Sequence, residues 1–353
     1  MHAAHPLIAL WDDHESANNP WVGGAQNHQP STEGDWRARR AAATQAYYEW
    51  MPIRPPADQQ RRIELWRKYR FGSLATLITL ESRHTARAEQ IEYPPRVSQI
   101  RSAEAAREFE RKVLNAPNRH MLSPAMEAFV AEGMRESRSL QQPWRLLGNA
   151  IPMARVRVPN LIAHGIAMPE GHPSGGADFV WKGRYNLPMY LDTWYGYPWA
   201  RERFYRQCAE LGVRDLMVLT GDSHSFWANS LHRDDGSPMG VEIGTAGVSS
   251  PGDFVEQGFD RATAATLDRL LAQHNLDVNW TDNLYQGYVR LQLYPSQAEV
   301  DYVAVSTVTE LNFSTQVIRR ERVEPDQGSL RFACFDLDTG PQSPNRPSGS
   351  GHY

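Results

Sequence analysis

The chain reads as an α/β or layered α+β protein. Helical and strand-like segments alternate through the first two thirds of its 353 residues, strand-like segments dominate the last third, and two apolar strands end abruptly in acidic and histidine clusters. Residues 6–11 form the first apolar run, stopped at Asp12-Asp13-His14-Glu15. A loop rich in Gly, Asn and Pro spans 18–34. Asp35 is then placed to cap a helix to about Trp50, which Pro52 stops. A strand is expected over 71–80, ending at Glu81-Ser82-Arg83. Helices are expected near 103–116 and 124–137, the second with Ser123 as cap and Pro124 at its first position. A strand over 144–156, a helix over 197–211 closed by Gly212, and a buried strand from Leu216 to Leu219 follow. The last of these ends in Thr220-Gly221-Asp222-Ser223-His224. Beyond it lie a strand at 240–250, a helix at 260–274, and strands at 287–294, 299–308 and 329–334. Residues 340–353, rich in Pro, Ser and Gly, read as a disordered tail behind one domain of residues 1–339.

Composition narrows the function classes. Hydrophobic residues at 41% and charged residues at 22% are those of a globular chain with a sizeable core. No run of about 18 apolar residues predicts a membrane-spanning helix. A net charge of −4 argues against a general nucleic-acid binder. Lys68, Lys112 and Lys182 are the only lysines, so positive charge is nearly all arginine, which suits forked recognition of phosphate and also follows from codon bias. Basic residues concentrate at 37–40 and 61–70, where a solvated helix face is the plainer reading. Cys208 and Cys334 are too few for a disulfide scaffold and form no CxxC zinc motif. The start shows no export signal.

Chemistry concentrates at the two strand ends. In open α/β sheets ligands gather beyond the carboxyl ends of strands. Carboxylate and imidazole are ligands for hard or borderline cations, and adjacent acids repel unless a positive charge sits among them. Asp12-Asp13-His14-Glu15 and Asp222-x-His224 therefore read as candidate metal-binding clusters, although an Asp-Asp pair also caps turns and Asp-x-His arises by chance. His164 and His172 read as surface or turn residues. The aromatic run through Trp181, Tyr185, Tyr190, Trp194, Tyr195, Tyr197 and Trp199 fits packing better than a substrate pocket.

Several blocks in order resemble the PhoD-like alkaline phosphatase and phosphodiesterase family, within the metallophosphoesterases. They are Leu10 to Glu15 with Asn18-Asn19, Gly23 to Gln29, Gly34-Asp35-Trp36, Tyr47 to Pro52, Glu81-Ser82-Arg83, Trp144 to Asn149, Asp192 to Tyr197, Leu219 to Trp227, and Thr245 to Gly252. The resemblance implies a layered α/β/β/α sandwich and metal-dependent hydrolysis of phosphate mono- or diesters. It implies iron together with calcium as cofactors, and a periplasmic or extracellular location. It makes Asp12, Asp13, Asp222 and His224 metal ligands, with Asn27 a weaker candidate for an outer metal. His14 becomes the acid or transition-state stabiliser, and Arg83 a grip on phosphate. Two departures stand out. Glu81 and Tyr195 occupy positions where the family commonly has Asp. A Gly-Asp-x-x-Tyr-type block, whose Asp and Tyr ligate metal in the family, has no counterpart, so an N-terminally truncated domain is expected. The alternatives are a catalytically incomplete fragment, one part of a split protein that needs a partner, or a metal hydrolase of acyl substrates.

Overall fold

The computed structural model describes residues 5–58, 61–166, 169 and 175–333, with the side chains of 175–177 excepted. His172, Cys334 and the expected tail lie outside these residues. A two-stranded ribbon, β1 (Pro20–Trp21) and β2 (Gly24–Ala25), and the short α1 (Pro30–Glu33) precede α2 (Trp36–Trp50). A hairpin of β3 (Arg67–Phe71) and β4 (Ala75–Thr79) leads to α3 (Ala103–Phe109), a π-helical turn at Glu110–Leu114, and α4 (Pro124–Ser139). Next come β5 (Trp144–Gly148), α5 (Gly175–Arg184), α6 (Pro198–Glu210), β6 (Leu216–Thr220), β7 (Phe226–His232) and β8 (Pro238–Gly244). The chain continues through α7 (Asp253–Glu256), α8 (Arg261–His274) and β9 (Val278–Asp282). It closes with β10 (Gly287–Leu293), β11 (Ala298–Val305), β12 (Thr315–Asp326) and β13 (Ser329–Ala333).

Two sheets carry the fold. The larger has strand order β3-β4-β5-β6-β8-β7-β9, with β4, β5, β6 and β8 mutually parallel and β3 and β7 antiparallel to their neighbours. Its central strands are apolar runs buried on both faces, as parallel strands must be. The smaller is the antiparallel sheet β10-β11-β12-β13. On one face of the large sheet, Ile78, Leu147 and Val218 pack with Met126 and Val130 of α4 and Phe204 of α6. On the other, Trp144, Leu146, Met217 and Val241 meet Val300, Tyr302 and Val323 of the small sheet. The result is the α+β sandwich expected, layered as helices, seven-stranded sheet and four-stranded sheet. Tyr288, Arg290 and Gln292 alternate outward from β10 into solvent.

Helix signals translate closely. The Asp35 carboxylate accepts from the Ala38 N–H at 3.0 Å, Ser123 caps α4, and Gly212 takes a left-handed φ of +71° after α6. Strand expectations need correction. Residues 6–11 join no ladder, because no described strand lies beside them; Trp11 is buried instead against Tyr47 and Leu65. The strand expected at 71–80 is β4 alone, since Gly72 at φ +55° turns the chain and makes 67–71 its antiparallel partner. The strand expected over 144–156 ends at Gly148.

Candidate metal centre

The parallel strands β4 and β6 deliver their next residues to one edge of the sheet, where Glu81 to Thr85 and Gly221 to His224 face each other. Glu81, buried at the end of β4, shapes the first loop. Its Oε1 accepts from the N–H groups of Arg83 (2.9 Å) and His84 (2.7 Å), and its Oε2 from that of Thr85 (2.9 Å). His84 then stacks between Trp11 and Trp36, at centroid distances of 4.3 and 5.9 Å, and meets Ser16 Oγ at 3.1 Å. Burial and the nearby Arg40, Arg83 and Arg87 push its pKa down to about 3, so the ring is neutral. This stack locks the segment bearing Asp12 and Asp13 onto the β4 loop. The Asp13 carbonyl closes that segment into a turn by accepting from the N–H groups of Ser16 (2.9 Å) and Ala17 (3.0 Å).

Asp12, Asp13 and Asp222 converge, each offering a carboxylate oxygen within 4.8 Å of the others. Asp13 is buried, its Oδ1 accepting from the His14 N–H at 2.9 Å and its Oδ2 from the Asn19 N–H at 3.1 Å. The positive charge such a cluster requires is supplied in part by Arg83, whose side chain has no solvent exposure. Its Nε donates to Asp12 Oδ1 at 2.9 Å, its Nη2 to Asp222 Oδ1 at 2.7 Å, and its Nη1 reaches Asn19 Oδ1 at 3.5 Å. Burial, together with Asp12, Asp192 and Asp13, holds the Asp222 carboxyl well above the usual range even against the lowering effect of Arg83. One guanidinium thus leaves the three carboxylates short of positive charge. An all-oxygen donor set with surplus negative charge fits a hard cation.

His224 turns elsewhere. Its imidazole groups with the carboxylates of Asp253 and Glu256 on α7, again with donor atoms within 4.8 Å of one another. His224 Nδ1 and Asp253 Oδ2 are both buried without a hydrogen-bond partner among the described residues, so this set also has atoms free to ligate. Burial raises the Asp253 carboxyl to about 7 despite a hydrogen bond with Tyr190. His14 lies at the rim, three quarters exposed, with Nε2 3.7 Å from Asp13 Oδ2. Asn27 is exposed, and its Oδ1 accepts from the Asn18 N–H at 2.9 Å, outside the carboxylate group. Sequence reasoning therefore singled out six of the residues gathered here, counting Arg83 and His14. It missed Asn19, Asp253 and Glu256; for Asn19 the signal was the Asn18-Asn19 pair following the acidic run.

A family model described as PhoD-like phosphatase matches residues 1–302 of this sequence. The chain belongs to the PhoD-like phosphatase family. Alkaline phosphatase D of Bacillus subtilis (strain 168) is 28% identical over 340 residues, which cover 94% of this chain and 49% of that protein. The chain thus spans about half the length of the curated relative it matches. The solved structure of PhoD superposes with a TM-score of 0.66 at 26% identity, covering 94% of this chain and 56% of that one. In this PhoD-like chain no described helix is long and apolar enough to cross a membrane.

Proposed function

We propose that this chain hydrolyses phosphate mono- or diesters with the help of bound cations, iron and calcium being the pair its family resemblance implies. The observation that carries the reading is the convergence of Asp12, Asp13 and Asp222 beside the sheet's carboxyl edge in a chain of this family. Those three carboxylates would hold one cation, and His224 with Asp253 and Glu256 suits a second. Cations bound there would supply Lewis acidity toward the phosphoryl group. The chain's own residues do the remainder. His14, at the open rim, is positioned to donate a proton to the departing oxygen. Arg83 has its nitrogens committed to Asp12, Asp222 and Asn19, so we assign it the spacing of the carboxylates ahead of a grip on phosphate. Asn19 fixes Asp13 from the other side through its backbone N–H. Export to the periplasm or cell exterior is part of the same reading, checked by fractionation of the source cell.

The test is turnover of p-nitrophenyl phosphate and its bis-ester by purified protein supplied with iron and calcium. Hydrolysis that Asp222→Asn and chelation both abolish supports the reading. Absence of hydrolysis in a folded, metal-loaded chain overturns it. In a second reading the chain binds cations but needs a further protein part for catalysis. Metal retained on the chain without turnover selects that alternative.

A further inference from the structure

In β8, Met239, Val241 and Ile243 are buried apolar side chains, yet Glu242 among them is buried completely as well, at 0% exposure. Val241 and Ile243 point into the core beneath the small sheet, so Glu242 points to the opposite, helical face. No cation pairs with it among the described residues. It accepts instead from the Met153 N–H, from the Ala154 N–H at 3.3 Å and, directly opposite on β7, from Asn229 Nδ2 at 2.8 Å. Burial raises this carboxyl to about 7 in spite of those three donors, and the charge of Asp277 adds to the rise. A buried carboxylate without a cation lowers stability relative to a neutral side chain.

What Glu242 holds is the segment 149–154. It leaves β5 as irregular backbone, buried throughout, and buried backbone needs partners for its polar groups. Two of its carbonyls brace the loops of the metal centre. That of Ala150 accepts from the Gly221 N–H at 3.1 Å, one residue before Asp222. That of Pro152 accepts from the Trp194 N–H at 3.1 Å, two residues after Asp192, whose charge reaches both Asp222 and Asp253. The Asn149 N–H donates to the Leu219 carbonyl at 2.9 Å and ties the same segment to β6, while Arg201 Nε donates to the Met153 carbonyl at 3.0 Å.

We propose that Glu242 is a positioning residue for the metal centre: its two carboxylate oxygens pin Met153 and Ala154, and the pinned segment sets where the Gly221–His224 loop and the Asp192 segment stand. The proposal rests on the hydrolytic reading above and adds to it a residue outside both ligand clusters. The groups facing Glu242 are Asp277 (itself bonded to Arg155 and His232), Tyr205 of α6, Tyr302 of β11, and Arg201 at the Met153 carbonyl. Burial holds both tyrosines above their ordinary range, and Asp277 is held at about 2. Between pH 8 and 6 Asp277, the tyrosines and Arg201 therefore keep their charge while the carboxyl of Glu242 takes up a proton and one acceptor oxygen is lost.

Two measurements on the full chain test this, and neither needs turnover. The first is amide hydrogen exchange in chelator. At pH 8, Glu242→Gln, which keeps the shape but offers one acceptor oxygen to two backbone donors, should speed exchange at Gly221 and Trp194 about tenfold while amides of the β10–β11 ladder keep their rates. In the unaltered chain, protection of those two amides relative to that ladder should fall toward the variant's value from pH 8 to pH 6; in the variant the ratio should stay flat. The second is calorimetric titration with calcium at pH 8, where the variant should bind about tenfold more weakly. A side chain that merely fills the core would loosen all amides together and give no pH step. Unchanged exchange at Gly221 and Trp194, unchanged calcium affinity, or uniform acceleration across the chain each overturns the positioning role and leaves the hydrolytic reading standing. Should the variant not fold, the pH step in the unaltered chain decides, and a flat protection ratio overturns the proposal. No calcium binding by the unaltered chain overturns both.

Discussion

Replacing Arg83 by Met tests the electrostatic account of the site most directly. The guanidinium is wholly buried and bonds to Asp12 and Asp222, whose side chains are 27% and 14% exposed. Removing one member of a buried ion pair generally costs about 3–5 kcal/mol, since the partner charge stays behind. Here two partners stay behind, with Asp13 beside them; the partial exposure of Asp12 moderates its share. In chelator, Arg83→Met should therefore lose about 3 kcal/mol or more of unfolding free energy in urea, with Arg83→Lys between it and the unaltered chain. Cation should then matter more. A ligand at 100 times its dissociation constant stabilises by about 2.7 kcal/mol, and stripped of the competing guanidinium the carboxylates should bind calcium more tightly. The urea midpoint of Arg83→Met should rise more on adding calcium than that of the unaltered chain. Near-equal stability of the two proteins in chelator, or a smaller calcium response in the variant, would refute the view that Arg83 is the resident counter-charge of the cluster.

Glu81→Gln sets an amide N–H₂ against at least one of the three loop N–H donors that Glu81 now satisfies, at roughly 1–3 kcal/mol. Faster hydrogen exchange at residues 83–85 and weaker cation binding are expected; unchanged exchange there would remove Glu81 as the organiser of the loop. Asp277 gives a pH signature away from the site. Burial would raise its carboxyl, but hydrogen bonds from His232 and Arg155 and the charges of Arg155 and Arg201 outweigh it and hold it at about 2, below its ordinary 3.8. A depressed carboxyl stabilises the fold above its unfolded value, and the contribution, about 2 kcal/mol, is lost as pH falls from near 4 to near 2. Asp277→Asn should flatten the fall of unfolding free energy across that window, and an unaltered slope would remove the assignment.

What the sequence revealed was what depends on local order along the chain. An apolar run that ends in acids announces a strand end, and the parallel sheet then brings such ends together; Asp222 was legible for that reason. Asp12 and Asp13 were legible for a partly mistaken one. Residues 6–11 form no strand, and what positions the two acids is the packing of Trp11 against His84, a contact 73 positions apart in sequence. The strand β12 was hidden because its outer sheet faces solvent: of Thr315–Asp326 only Glu321 and Val323 are buried, so the segment reads as a charged run. β7, buried along most of its length, lacks the alternation that marks a half-buried strand.

The division of Asp222 and His224 between two clusters shows where local order stops sufficing. Two residues apart on an extended strand, their side chains would share one face. Instead both take left-handed backbone angles, φ +68° at Asp222 and +53° at His224. Neither is glycine, and each such conformation costs of order 1–3 kcal/mol and persists only where its surroundings impose it. They do impose it. The Gly221 N–H is held by the Ala150 carbonyl at 3.1 Å, Trp227 Nε1 donates to Ser223 Oγ at 2.7 Å, and the Thr245 N–H returns to the Thr220 carbonyl at 3.0 Å. Bonds from β8, the loop after β5 and the start of β7 thus twist one tripeptide so that its carboxylate faces Asp12 and Asp13 while its imidazole faces Asp253 and Glu256. An acyclic, relaxed Asp-x-His would serve one site. The strained one aims one side chain at each of the two clusters from a single loop.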